Sequence, residues 1–181
     1  MGHSKQQFSP LKIAVLTVSD SRNQDTDTSG AYLYESAINA GHEVVSREIV
    51  IDDIYKIRAS LSNAIADESI QAVLVTGGTG FTQRDSSPEA IIPLFDKQVE
   101  GFGELFRYLS YQEIGTSSIQ SRAVAGMAND TVIFCVPGST GACRTAWEGL
   151  IKQQLDGAHG PCNFVPHLKK SMLQMCESRV S

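Results

Sequence analysis

The chain is 181 residues long, 41% apolar and 19% charged, and fifteen basic against twenty acidic residues give it a net charge of −5. That length suits one domain that closes its own core, and the apolar share excludes a mostly disordered chain. The acidic balance argues against non-specific DNA or RNA binding, and apolar runs such as Val132 to Val136 fall far short of the roughly 20 residues of a membrane span.

Residues 1–10 read as a polar N-terminal tail, in which Met1-Gly2-His3-Ser4 has the look of an expression remnant. With no apolar leader in that stretch, a cytoplasmic protein with reduced thiols is expected. Cys135, Cys143, Cys162 and Cys176 have no CxxC spacing, and no two of His3, His42, His159 and His167 stand at i, i+4, so neither a disulfide framework nor a zinc site is expected.

Residues 11–156 read as one α/β domain. Lys12 to Val18 is an apolar run of strand type, and Ser19-Asp20-Ser21 ends it as a polar loop. A helix is predicted over Ser29 to Ala40, with Gly41 just past its end, and a second strand over the β-branched stretch Glu43 to Val50. Asp52 or Asp53 then caps a helix whose apolar positions are Ile54, Ile57, Leu61 and Ile65. Gln71 to Val75 forms a third strand, closed by Thr76-Gly77-Gly78-Thr79-Gly80. Ser86 and Glu89 have capping-box spacing around Pro88, and Pro93 ends or kinks that helix. Phe102, Leu105, Phe106 and Leu109 mark another apolar helical face. A short helix is expected around Ser121 to Ala128, then a fourth strand over Thr131 to Val136. Pro137-Gly138-Ser139 leads into a helix from about Thr140 to Leu155, with Trp147, Leu150 and Ile151 on its core face. Residues 157–181 read as a C-terminal extension with little structure of its own.

Strands alternating with helices imply right-handed βαβ crossovers. The fold class expected is α/β: a three-layer sandwich with a mostly parallel sheet and helices on both faces. In such a sheet, ligands bind outside the carboxyl ends of the strands. Three strands here end in turns suited to ligand binding, namely Ser19-Asp20, Thr76 to Gly80, and Pro137-Gly138-Ser139. Glycines let backbone amides approach a ligand, and successive N–H groups form an anion-binding nest. The Thr76 to Gly80 loop matches neither a Walker A loop nor GxGxxG. Asp85 could orient Mg²⁺ or a substrate group, or simply cap a helix, and Asp20 and Asp52 carry the same pair of readings. Arg84 and Arg122 could contact phosphate, or stand as solvated charges. No Ser–His or Cys–His arrangement suggests a covalent nucleophile.

Taken together, Val18-Ser19-Asp20, Thr76 to Gly80, Arg84-Asp85-x-x-Pro88-Glu89-Ala90, Gly101-Phe102-Gly103-Glu104, Ser121-Arg122-x-x-x-Gly126 and Pro137-Gly138-Ser139 resemble the MoaB/Mog family of molybdenum cofactor biosynthesis proteins. The resemblance runs from Lys12 to Lys170, and the segment from Pro161 to Lys170 is similar to the bacterial MoaB branch. It implies a molybdopterin-binding α/β fold that assembles as a homo-oligomer, trimer or hexamer, with contacts to other proteins of the same pathway. It also implies transfer of AMP from ATP, with Mg²⁺, onto the terminal phosphate of molybdopterin. On that resemblance Asp52 and Asp85 are the two catalytic aspartates. Ser19, Asp20, Thr76, Gly77, Gly78, Thr79, Gly80, Ser121, Arg122, Pro137, Gly138 and Ser139 hold the pterin and its phosphate. The metal ligands stay unassigned. Two further readings stand beside the enzyme: a non-catalytic molybdopterin carrier, and an unrelated nucleotide-binding regulator on the same sheet architecture.

Overall fold

The computed structural model describes residues 7–170. Six strands form one sheet in the order β2-β1-β3-β6-β5-β4. They are β1 (Lys12–Val18), β2 (Glu43–Val50), β3 (Ala72–Thr76), β4 (Lys97–Gln98), β5 (Val124–Ala128) and β6 (Thr131–Val136). The first three and β6 run parallel, whereas β4 and β5 are antiparallel additions at one side. The helices are α1 (Thr28–Asn39), α2 (Ile54–Ala66), α3 (Ser87–Ile91), α4 (Glu100–Ile114), α5 (Thr140–Ala146) and α6 (Lys152–Gln154). A π-helical turn, Trp147–Ile151, joins the last two.

Period-two alternation sorts the strand side chains into two cores. Ile13, Val15, Leu74 and Phe134 face α1, α4 and the α5 segment, where Leu33, Phe106 and Trp147 are buried. Leu16, Val73, Val75 and Ile133 face α2 and α3, where Ile57, Leu61 and Ile91 are buried. The parallel strands β1, β3 and β6 are buried along nearly their whole length, as strands covered on both faces must be. The result is the three-layer arrangement expected from the sequence.

Several local expectations are corrected. No helix forms over residues 121–128; Val124–Ala128 is β5, paired with β6. The connection is Asn129-Asp130, both at positive φ (46° and 55°), the geometry of a two-residue hairpin turn that Asn and Asp tolerate. Small side chains suit that strand because the Phe95 ring lies directly over Gly126. Ser86 and Glu89 make no capping box: the Ser86 side chain caps nothing, and Glu89 instead pairs with Arg122. Of the two candidate caps for α2, Asp53 takes the role, accepting from the amides of Tyr55 and Lys56. On α4, Phe102 and Phe106 are buried while Leu105 is exposed.

The chain beyond Gly157 is not a loose tail in its described part. Phe164, Val165 and Leu168 pack on the first core. The Lys169 ammonium donates to the carbonyls of Ile65 and Asp67 at the C-terminal end of α2, at 2.6 and 2.7 Å. A cation there complements the helix dipole. The expectations for residues 1–6 and 171–181, Cys176 among them, lie outside the described residues. Among the described residues no helix is long and apolar enough to cross a membrane.

His42 is buried, and its Nδ1 accepts the Leu11 amide at 3.2 Å under the Phe8 ring. Burial pushes its pKa below the usual range, with Asp156 opposing only in part. A protonated Nδ1 has no lone pair for the Leu11 amide. The unfolded chain therefore binds this proton more readily, and His42 contributes stability that is complete above about pH 6.5 and is lost as pH falls through the lowered value. In denaturant titrations across pH 5 to 7.5, stability is expected to fall on the acid side, and His42→Asn, which keeps an acceptor but cannot titrate, flattens that slope.

Candidate functional site

Parallel pairing sets β1, β3 and β6 side by side, with Thr17 opposite Thr76 and Thr76 opposite Val136. Their carboxyl ends therefore lie on one rim. The chain leaves β1 toward β2 on one side and returns to β3 on the other, so this rim is the topological switch point of the sheet. A cavity of about 520 Å³ opens there. Ser19, Thr76 to Gly80, Asp85, Ser121 and Pro137 to Ser139 line it, together with the end of α4.

Gly77 and Gly78 take positive φ, 104° and 62°. A side chain at Gly77 would strike the Val18 carbonyl, and one at Gly78 would lie 2.7 Å from Asp52 Oδ2. Only glycine allows this loop to fold so tightly against β1 and α2. Its placement is fixed from beneath. The Gly77 amide donates to the Val136 carbonyl, and the buried Ser87 donates its hydroxyl to the Gly77 carbonyl and its amide to the Gly78 carbonyl. Thr76 Oγ1 donates to the Pro137 carbonyl at 3.1 Å and so ties two of the three rim turns together. Ser139 caps α5 by accepting from the Ala142 amide.

The remaining predicted residues divide by position. Asp85 is on the cavity wall, where Thr82 donates both its hydroxyl (2.6 Å) and its amide (2.9 Å) to Oδ2. The Thr82 hydroxyl holds the Asp85 carboxyl below the usual carboxylate range; burial opposes this, and the Thr82 and Gly80 amides and Arg122 reinforce it. Asp85 is thus a carboxylate at neutral pH. Asp52 does not line the cavity. Its Oδ1 accepts the Ser86 hydroxyl (2.6 Å) and amide (3.0 Å), and its Oδ2 lies behind Gly78. Asp20 is at the rim, accepting the Asp52 amide and pairing with the exposed Arg84. Arg122 sits behind the glycine loop rather than in the cavity. It donates to the Thr79 and Asp85 carbonyls, pairs with Glu89 and lies over the Phe81 ring.

Sequence reasoning missed Asp27, Arg22 and Glu113. Asp27 is buried, caps α1 through the Gly30 amide, and accepts from Thr17 Oγ1 at 2.8 Å and Arg47 at 3.0 Å. Burial raises its pKa, but the Gly30 amide, Arg47 and Thr17 together outweigh that and leave it below the usual range. Asp before Thr-Ser-Gly was a legible cap signal. Arg22 lines the cavity and donates to Ser29 Oγ at 2.7 Å. Glu113, held by Thr145, lines it from α4. Nothing in the local sequence marks either of these two.

Gly78→Ala is expected to destabilise the fold by about 1–3 kcal/mol, the usual cost of a strained left-handed residue, read as a lowered denaturation midpoint. The same variant should lose ligand binding at temperatures where it remains folded.

Residues 14–157 match the family model described as "Probable molybdopterin binding domain". The chain is 59% identical over 170 residues to molybdenum cofactor biosynthesis protein B of Escherichia coli (strain K12), a match covering 94% of this chain and 100% of that protein. A crystal structure of a molybdenum cofactor biosynthesis protein B superposes with a TM-score of 0.80 at 44% identity, covering 83% of this chain and 94% of that one. The tungsten cofactor synthesizing protein MoaB from Pyrococcus furiosus superposes with a TM-score of 0.70 at 38% identity, covering 78% and 90%. A model match over most of the chain, a near full-length relative and a shared three-layer fold agree: the chain belongs to the MoaB branch of the molybdenum cofactor biosynthesis proteins.

Proposed function

We propose that this protein binds molybdopterin in the rim cavity and transfers AMP from ATP to its terminal phosphate, releasing pyrophosphate. The observation that carries the reading is Asp85, an ionised carboxylate on the wall of a rim cavity whose turns also offer glycine amides and hydroxyls. In the transfer, a phosphate oxygen of the pterin bonds to the α-phosphorus of ATP. The bond to the bridging oxygen breaks, and pyrophosphate takes the electron pair. A phosphate monoester is largely dianionic at neutral pH, so the protein has no nucleophile to activate. Its work is to bring two polyanions together and hold them in line. The amides of Gly78 to Gly80 and the Thr79 hydroxyl are suited to the pterin phosphate, while the Gly77 amide and the Thr76 hydroxyl, already given to the Val136 and Pro137 carbonyls, hold the loop in shape. Ser19, Ser121 and the Pro137 to Ser139 turn close the sides. Asp52 braces the start of α3 through Ser86 and so keeps Asp85 against the loop.

Among the described residues no three His, Cys, Asp or Glu side chains converge to cage a cation. One wall carboxylate fits the habit of Mg²⁺, which takes one or two protein carboxylates and completes its shell with phosphate oxygens and water. When bound with the nucleotide, Mg²⁺ would neutralise phosphate charge, and Asp85 is the residue placed to hold it.

The carrier reading has one observation in its favour: Asp52 spends its carboxylate on Ser86 and lies outside the cavity lining. Incubation of the full chain with molybdopterin, ATP and Mg²⁺ decides between the two. The enzyme reading expects adenylylated pterin and pyrophosphate; saturable pterin binding without product leaves only the carrier. Asp85→Asn is expected to lower turnover by at least about 100-fold, with pterin affinity changed by less than about threefold, because its charge acts on phosphate positioning. Equal losses in both would remove Asp85 from that role.

We also infer a homo-oligomer, trimer or hexamer. Leu105, Tyr108 and Tyr111, at successive i, i+3 positions of α4, and Ile119 beyond it leave large apolar side chains exposed. Monomers rarely keep such a surface bare. Sedimentation at micromolar concentration should give a mass above that of one chain, reduced by Tyr108→Glu; a monomer in the unmodified protein would contradict the assembly.

A further inference from the structure

We propose that Arg22 is the phosphate clamp of the cavity, the side chain that supplies positive charge to an anionic ligand. The assignment rests on the pterin reading above and extends it to a residue outside the three rim motifs.

The starting point is charge. Two carboxylates, Asp85 and Glu113, line the cavity, and among the described residues Arg22 is the one cation that lines it. A phosphorylated ligand needs a counter-charge that amides and hydroxyls supply only in part. The other candidates are committed elsewhere. Arg122 donates to two carbonyls and pairs with Glu89 behind the glycine loop. Arg84 is 72% exposed and paired with Asp20.

Arg22 is held in place for such a contact. Its amide donates to Ser19 Oγ at 3.2 Å, so the turn that ends β1 presents it to the cavity. Its Nη1 donates to Ser29 Oγ at 2.7 Å and lies 3.8 Å from Asp27 Oδ1. Asp27 is fully buried and already matched by Arg47 at 3.0 Å. Two guanidiniums thus share one carboxylate, and one positive charge is left over. That charge is Arg22, whose side chain is 33% exposed, whereas Arg47 is anchored on Asp27 by both its side chain and its carbonyl. A guanidinium pinned at one nitrogen keeps the rest of its fork for a planar, two-point contact with phosphate oxygens.

Two phosphates could fill this role, that of the pterin or the triphosphate of the nucleotide. The test uses the full chain, unmodified and as Arg22→Met and Arg22→Lys, titrated with three probes: 6-hydroxymethylpterin monophosphate, phosphate-free 6-hydroxymethylpterin, and a non-hydrolysable ATP analogue with Mg²⁺. Thermal unfolding confirms that each variant is folded. Arg22→Met is expected to weaken one phosphate-bearing probe by about 10–100-fold. The phosphate-free pterin should change less than about twofold, and Arg22→Lys should fall between the extremes because a point charge replaces the fork. Loss on the phosphorylated pterin assigns the clamp to the pterin phosphate; loss on the ATP analogue assigns it to the nucleotide. Equal affinity of the unmodified protein and Arg22→Met for both phosphate-bearing probes overturns the clamp while leaving the pterin reading intact. If the unmodified protein binds neither pterin probe, the pterin reading falls, and the clamp then stands only if Arg22→Met weakens the ATP analogue and is overturned if it does not.

Discussion

Parallel register across β1, β3 and β6 is the constraint on which the site depends. Because paired residues in these strands stand level, Thr17, Thr76 and Val136 end at one height, and the turns that follow them meet. Register in turn is enforced by burial. A one-residue slip would exchange the faces on which Val73 and Leu74 sit, sending each into the wrong core. The two hydrophobic layers therefore hold the rim turns in alignment far from any ligand, and the glycine loop needs only local bonds to keep its shape.

Much of this is legible in the sequence because the strands and the glycine loop carry strong local signals. The apolar runs at Lys12 to Val18 and Thr131 to Val136 have no competing helical period, and Thr-Gly-Gly-Thr-Gly leaves little but a tight turn. Residues 121–128 mislead because Arg, Ala and Met at those positions suit a short helix, whereas Val and Gly fit a narrow strand. Pairing with β6 and the Phe95 ring over Gly126 decide the matter, and both are long-range. The segment after Gly157 looks featureless for a similar reason. Its order comes from Lys169 reaching carbonyls about a hundred positions earlier in the chain, which no window of sequence contains.

The candidate site is legible in its backbone and less so in its charges. Turn residues are recognised from neighbours in sequence, so Thr76 to Gly80 and Pro137 to Ser139 stand out. Which arginine meets the cavity depends on where each side chain is tethered. Arg122 follows Ser121, a cavity residue, yet its fork turns behind the loop to the Thr79 and Asp85 carbonyls. Arg22 belongs to an ordinary polar loop and becomes a cavity residue only because Ser29 and Asp27 hold it there.

The balance of charge in the cavity also bears on how a transfer enzyme could work. A pocket lined with several cations would bind every phosphate tightly, product and pyrophosphate included, and uniform binding of that kind does not accelerate a chemical step. Here the charged side chains of the lining are one guanidinium, Arg22, and the carboxylates of Asp85 and Glu113. On the adenylylation reading proposed above, such a lining would hold one phosphate and leave further anionic charge under-compensated. A second polyanion would then depend on a divalent cation for its own neutralisation, and Asp85 is the wall carboxylate placed to share it. The Asp85 carboxylate and the Arg22 guanidinium would thus divide the labour between two phosphates.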